Sequence, residues 1–234
     1  MASLIKILDN AKFLSKTVFS ESTPSEGSSL TNGLQAFYKL DDTSDSSGNG
    51  NTLTNNGDVS FASGKIGNAA VFDGSNYLAT NSSSFPAGNS DRSVSAWFKT
   101  NNAGNYNILL SYGSPQENSS FGLSVTNSGD IEFAAYSNDF QGNTFVADGN
   151  WHHVVGVNSS NNGRSLYLDG ILIATNSNPI NTQTENSELK IGEWTVSFGG
   201  SMNGQIDAVG IWNRALSDAE VAELYNTGTG LELN

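Results

Sequence analysis

Residues 151–174, WHHVVGVNSSNNGRSLYLDGILIA, decide the fold class, because hydrophobic pattern and turn chemistry agree there over three successive segments. Asp169-Gly170, between Leu168 and Ile171, is the dipeptide a two-residue type I′ turn favours, since both central residues take positive φ. That turn predicts Leu168 opposite Ile171 and Leu166 opposite Ile173 on one face, with Tyr167 and Leu172 sharing the other. Upstream, Trp151, His153, Val155 and Val157 alternate onto one face, and Asn161-Asn162-Gly163 makes the return. Three antiparallel strands with an apolar face need a second sheet to cover them.

The same alternation continues on both sides. GLQAFYKL from Gly33 reads as a strand, as do SVSAWFK from Ser93, YNILLSY from Tyr106, SFGLSVT from Ser120, DIEFAAY from Asp130, SELKIG from Ser187 and NGQIDAVGIWN from Asn203. AAVFDGSNYLAT reads as a hairpin turning at Asp73-Gly74. The expected class is all-β, two packed antiparallel sheets, with one helix near the end of the chain. Ser217 and Glu220 form a capping box, Leu216 and Val221 a hydrophobic staple, and Val221, Leu224 and Tyr225 an apolar stripe that Gly228 ends. This helix is expected to cover a sheet edge.

Composition agrees with many short strands joined by polar turns: 25 glycines, 36% hydrophobic and only 14% charged residues in a chain of 234. Without cysteine there are no disulfides and no thiolate metal sites. Net charge is −13, unevenly spread. Lys6, Lys12 and Lys16 against Asp9 give residues 1–20 a balance of +2, which leaves −15 for the rest. Such an acidic domain repels nucleic acid and anionic lipid, so neither is an expected partner.

Leu4, Ile7, Leu8, Ala11, Leu14 and Val18 fall at helical spacing, while Lys6, Asp9 and Lys12 break the apolar run that an export signal needs. Residues 1–19 are therefore expected to be an N-terminal anchoring arm, 20–32 a Ser-, Thr- and Glu-rich linker, and 33–234 the β domain.

The ordered set YKLD at Tyr38, DSSGNGN at Asp45, GNAAVFDG at Gly67, SVSAWFK at Ser93, WHHVV at Trp151, LYLDG at Leu166 and GQIDAVGIWNRALSDAEVAELY at Gly204 resembles the laminin G-like, concanavalin A-like lectin/glucanase superfamily. The resemblance spans about residues 33–230. It implies a jelly-roll sandwich, often with a structural Ca²⁺ and often binding glycans. Fold alone does not supply function.

Enzyme chemistry finds little support. Glucanases of this fold place paired carboxylates on a strand with an E-x-D-x-(x)-E pattern. Here Gln205 stands where the first Glu would be and the last Glu is missing. The two histidines, His152 and His153, are adjacent on a strand and face opposite ways, which favours packing over catalysis. A non-catalytic protein is expected.

Ca²⁺ takes six to eight oxygen ligands, and the loop DDTSDSSGNGN offers Asp45 and Asn51, with Asp41 and Asn49 beside them. The resemblance adds Asp207. Sugars stack on aromatic rings, and the rings near turns are Tyr112, Tyr136, Phe140 and Trp194. Trp97, Trp151 and Trp212 lie inside strand patterns and are expected to be packing.

The sequence reading is thus a glycan-binding or adhesion domain held by residues 1–19 on a capsid or tail protein of a phage virion, facing host glycans. The arm is expected to dock on that protein or to bundle with other copies. Alternatives are a decoration protein without sugar binding and an adhesin module of a secreted bacterial protein at the cell surface.

Overall fold

A computed structural model of the chain describes residues 29–195 and 200–233. The expected arm, 1–19, and most of the expected linker lie outside these residues. The fold is an all-β jelly roll of two antiparallel sheets. One sheet has the order β13 (Ile171–Asn176), β12 (Gly163–Leu168), β11 (Trp151–Ser159), β6 (Arg92–Lys99), β15 (Asn203–Trp212), β4 (Asn68–Asp73), β3 (Ser60–Ser63), with β1 (Leu34–Tyr38) also on β15. The other runs β10 (Phe140–Phe145), β9 (Asp130–Ala134), β8 (Ser120–Val125), β7 (Asn107–Gly113), β14 (Glu188–Ile191), β5 (Tyr77–Asn81), β2 (Thr54–Asn56).

Alternation within each strand divides the apolar residues into two cores. Between the sheets lie Val94, Ala96 and Phe98 of β6, Val154 of β11 and Leu166 and Leu168 of β12. They meet Leu110, Tyr112, Phe121, Leu123, Ile131 and Phe133 from the facing sheet. Residues of opposite parity, Trp97, Val155, Val157, Tyr167 and Trp212, face outward on the eight-stranded sheet. There α1 (Asp218–Tyr225) covers them with Val221 and Leu224. The capping box is formed as its residues predict: the Ser217 hydroxyl accepts from the Glu220 N–H, and the Glu220 carboxylate accepts from the Ser217 N–H at 2.9 Å.

The central meander forms as read, with Leu168 opposite Ile171 and Tyr167 opposite Leu172. A register shift between Leu166 and Tyr167 sets Leu166 opposite Ala174 rather than Ile173, because a bulge inserts one residue into β13. Four further expectations are corrected. Asp73-Gly74 does not close a hairpin: β4 and β5 belong to different sheets, so this segment is a crossover. Its turn is built by side chains, with the Asp73 carboxylate accepting from Ser75 N–H at 2.9 Å and Asn76 Oδ1 from Asp73 N–H at 3.1 Å. Helix α1 covers a sheet face, not an edge, and ends at Asn226 in the left-handed region (φ 47) rather than at Gly228. The domain begins before Gly33: Leu30 is fully buried, and its carbonyl accepts from Trp212 Nε1 at 2.6 Å. Strands β2, β3 and β10 were not legible, being short and poor in alternating apolar residues. Among the described residues no helix is long and apolar enough to cross a membrane.

Candidate functional site

The outer face of the seven-stranded sheet differs in kind from the helix-covered one. Since Phe121, Leu123, Ile131 and Phe133 point inward, Gly122, Ser124 and Glu132 point out, and the register places Ser111 beside Gly122, Ser124 beside Glu132 and Glu132 beside Gln141. Small and polar side chains add little bulk above the sheet, yet Ser111, Gly122, Ser124 and Glu132 are all buried, so that space is filled. Trp194 uses part of it, because a Cβ added to Gly122 would meet the indole at 3.1 Å. The Ser111 hydroxyl pins that segment, donating to Glu193 carbonyl at 3.2 Å and accepting from Thr195 N–H at 3.0 Å. Glu132 is almost fully buried and accepts from Ser124 at 2.9 Å and Gln141 at 3.3 Å. Burial pushes its carboxyl pKa up, and the nearby Asp139 charge adds to that.

At the end of this face, where β7 begins, an open cleft of about 370 Å³ is lined by Gly74, Asn102, Asn105, Tyr106, Gly200, Ser201 and Asn203. Segments distant in sequence are knotted there by one buried amide. Asn107 Nδ2 donates to Asn102 carbonyl at 2.7 Å, and its Oδ1 accepts from Asn203 N–H at 3.2 Å and Asn102 Nδ2 at 3.2 Å. Thr100 adds a bond to Asn203 carbonyl at 2.7 Å. The half-buried Tyr106 ring thus stands on a fixed base among exposed amides. Its phenol pKa is raised by burial first and then by the charges of Glu132 and Asp139, so the cleft is electrostatically continuous with the Glu132 patch. A ring flanked by amides and a hydroxyl is the donor set that holds a sugar by stacking and hydrogen bonds.

The expected ligand rings separate accordingly. Tyr112 is in the inter-sheet core with no exposed surface, so it presents no ring to a ligand; this corrects the expectation drawn from its place near a strand end. Phe140 stacks on Phe133 at 5.2 Å, with the Arg164 guanidinium 5.1 Å from each ring, and is held by packing. Tyr136 is half-buried in the left-handed turn between β9 and β10 (φ 49), and Trp194 alone of the four lies over the outer face of the sheet. Tyr106 escaped the sequence reading because it counts there as the first residue of a strand. The signal available was the amide-rich NNAGNYN run, residues 101–107, that contains it.

The expected metal ligands split into two groups. Asp45 spends both carboxylate oxygens on peptide groups, accepting from Phe37 N–H at 3.1 Å, Ser47 N–H at 2.9 Å and Asn51 N–H at 2.9 Å. Although burial opposes it, these bonds hold its pKa below the usual carboxylate value. Asn49 and Asn51 donate to carbonyls of β1. This loop is closed by its own turns, and these three residues are not brought to Asp207 as the expected set required.

Asp41 and Asp207 do meet. A bulge in β15, with Ala208 at φ 47, redirects Asp207 into a cavity of about 20 Å³ that Asp41, Lys39 and Glu232 also line, the last two as an ion pair. Asp207 Oδ2 accepts from Lys65 N–H at 2.7 Å and Ile66 N–H at 2.8 Å, while Oδ1 is buried without a partner. Burial raises its pKa to about 6, with the Asp41 charge contributing. Such a cavity holds one ion or one water. An orphaned carboxylate oxygen there has room for a cation, although the Lys39–Glu232 ion pair already lines the cavity and no three His or acidic side chains converge among the described residues.

The histidines have structural roles. His152 bonds to Asp169 at 2.9 Å and Asp148 at 3.3 Å, and the Asp169 bond raises its pKa. His153 lies on the opposite face, 5.1 Å from the Trp97 ring, where burial lowers its pKa to about 4.

Comparison with known proteins gives a consistent picture. The laminin G-type family model described as concanavalin A-like lectin/glucanases superfamily matches residues 72–222. No curated protein matches the chain. Among solved structures, domain 4 of AbnA, an extracellular GH43 arabinanase from Geobacillus stearothermophilus in complex with arabinotriose, is 26% identical. The match covers 81% of this chain and 97% of that one, with a TM-score of 0.64. The binding domain of Paraclostridial Mosquitocidal Protein 1 is 18% identical over 85% of this chain and 53% of its own, with a TM-score of 0.68. The ligand-binding domain of botulinum neurotoxin serotype D, in complex with N-acetylneuraminic acid, is 15% identical over 85% and 52%, with a TM-score of 0.64. The chain spans about half of these two toxin domains, and the likeness to them is one of fold.

Proposed function

Because the chain belongs to the concanavalin A-like lectin/glucanases superfamily, we propose that it is a non-catalytic glycan-binding module whose site is the Tyr106 cleft. The observation that carries this reading is the ring of Tyr106 set among Asn102, Asn105, Asn203 and Ser201 on a base locked by Asn107. The arabinotriose complex of the arabinanase domain lends it support. A non-catalytic reading is supported by β15: Ile206 points into the inter-sheet core, so Asp207 projects away from the polar face, and the carboxylates beside it, Asp41 and Glu232, line its own small cavity rather than the Tyr106 cleft. Titration of the full chain with a panel of oligosaccharides, arabinotriose among them, tests the reading. Binding that Tyr106→Ala weakens at least tenfold supports it, and binding by no member of the panel overturns it.

A Ca²⁺ ion held by Asp207 and Asp41 is part of the same proposal, supported by the unpartnered Asp207 Oδ1. When bound, the ion supplies charge compensation that ties β15 to the loop after β1. Ca²⁺ is expected to raise the melting temperature of the full chain and to leave Asp207→Asn unmoved. Equal responses of the two proteins would contradict the site.

Display on a phage particle through residues 1–19 remains a proposal of the sequence alone, supported by the helical spacing of their apolar residues. Deleting residues 1–28 is expected to abolish particle association and preserve the fold. Association that survives the deletion overturns it.

A further inference from the structure

We propose that the Tyr106 cleft selects uncharged glycans and rejects those carrying a carboxylate or sulfate, an inference that rests on the glycan-binding reading above. Its lining supplies hydrogen-bonding amides, a hydroxyl and a phenol, but no lysine or arginine to pair with an acidic sugar. Recognition of a carboxylate normally uses a charge-assisted donor, and arginine above all. Three carboxylates lie close by. Asp73 is the register partner of Asn203, placing a carboxylate next to the Gly74 rim of the cleft. Glu132 and Asp139 lie close enough to Tyr106 for their charges to disfavour a phenolate. An acidic substituent held against Tyr106 meets the same repulsion.

Of the cations near this end of the domain, Lys99 is the register partner of Gln205 and lies outside the cleft lining, and two others are engaged elsewhere. The Lys190 ammonium, in the separate cleft at the far end of β7, pairs with Glu193 at 2.8 Å and sits 4.4 Å from the Tyr77 ring. Arg164 points into the sandwich, donating to Asn138 between the rings of Phe133 and Phe140. With a chain charge of −13, the long-range field adds to the local one.

Neutral sugars suffer no such penalty, since stacking and amide hydrogen bonds need no charge. The field is screened by salt, so the discrimination is largest at low ionic strength. This makes the selectivity separable from stacking, which salt leaves in place.

The experiment is a titration of the full chain with matched pairs, each a neutral oligosaccharide and its sialylated or uronate counterpart, such as lactose with sialyllactose, at low and high salt. Among pairs whose neutral member binds, the acidic member is expected to bind at least tenfold more weakly at low salt, with the gap narrowing at 0.5 M NaCl. The double variant Glu132→Gln, Asp139→Asn is expected to narrow it further by raising affinity for the acidic member. Asp139→Asn keeps the oxygen that accepts from Ala135 N–H, whereas Glu132→Gln keeps only one of the two that accept from Ser124 and Gln141, so Asp73→Asn on the exposed rim serves the same purpose should the double variant misfold. Acidic members that bind as tightly as neutral ones, or more tightly, overturn the selectivity while leaving the glycan site standing. Absence of binding to every pair removes both.

Discussion

The two outward faces of this sandwich share one pleat geometry but bury different chemistry, one apolar and one polar. On the eight-stranded sheet, Trp97, Val155, Val157, Tyr167 and Trp212 are buried under α1 and the turn that carries Leu30. On the seven-stranded sheet, Gly122, Ser124 and Glu132 occupy the equivalent outward positions and are buried as well, with Trp194 lying over Gly122. Large apolar residues demand a cover, and the chain supplies one from its own C-terminal helix. Small and polar residues make a hydrogen-bonded layer beneath Trp194 instead, and the open surface is the Tyr106 cleft at its end. Stability is therefore concentrated on one face and recognition on the other, and substitutions on the two faces should separate these properties.

The largest expected effect is on the covered face. Trp212→Ala removes a fully buried indole and its bond to Leu30 carbonyl, and should cost about 3–5 kcal/mol in denaturant unfolding. A cost below 1 kcal/mol would mean that this face is not the stabilising one. On the open face, Tyr106→Ala should leave the melting temperature within about 2 °C, as expected of a surface substitution, while removing most of the glycan affinity. A large drop in melting temperature would place Tyr106 in the core economy instead.

Acid sharpens the contrast, because both perturbed groups lie on or beside the covered face. His153 has a folded pKa of about 4 against 6.5 in the unfolded chain, so the unfolded state binds more protons as pH falls. Its contribution is intact above pH 6.5 and is lost towards pH 4, by about 3 kcal/mol at most. Asp207 has the opposite sign: its folded pKa, near 6, lies above the unfolded value, so without a bound cation it favours folding as pH falls through 6. His153→Phe should therefore flatten the acid loss of stability, and Asp207→Asn should steepen it. Identical pH profiles for the two variants would contradict these assignments. Smallest is the cap: Ser217→Ala should cost about 1 kcal/mol and leave glycan binding unchanged.

Legibility followed the same division. The covered face was readable because its residues obey parity: Trp151, His153, Val155 and Val157 announce one face, and the Ser217–Glu220 box announces the helix that lies on it. Asp169-Gly170 and Asp73-Gly74 are the same dipeptide, yet one turns a hairpin and the other passes the chain between sheets. What separates them is the Ser75-Asn76 pair, whose side chains complete a different turn. Tyr112 shows a second limit: proximity to a turn suggested exposure, whereas its parity with Leu110 set it in the core. The open face has no comparable local signature. The Tyr106 cleft exists because Asn107, bonded to Asn102, also reaches Asn203, 96 residues further along the chain, a relation made only by folding.

The separation of the two faces is tested most directly by backbone amide NMR of the full chain, titrated with the tightest-binding oligosaccharide of the panel. The account predicts shift changes at residues 102–106 and 200–205, with α1 and the residues beneath it silent. Changes centred on α1, Trp97 and Tyr225 would contradict it.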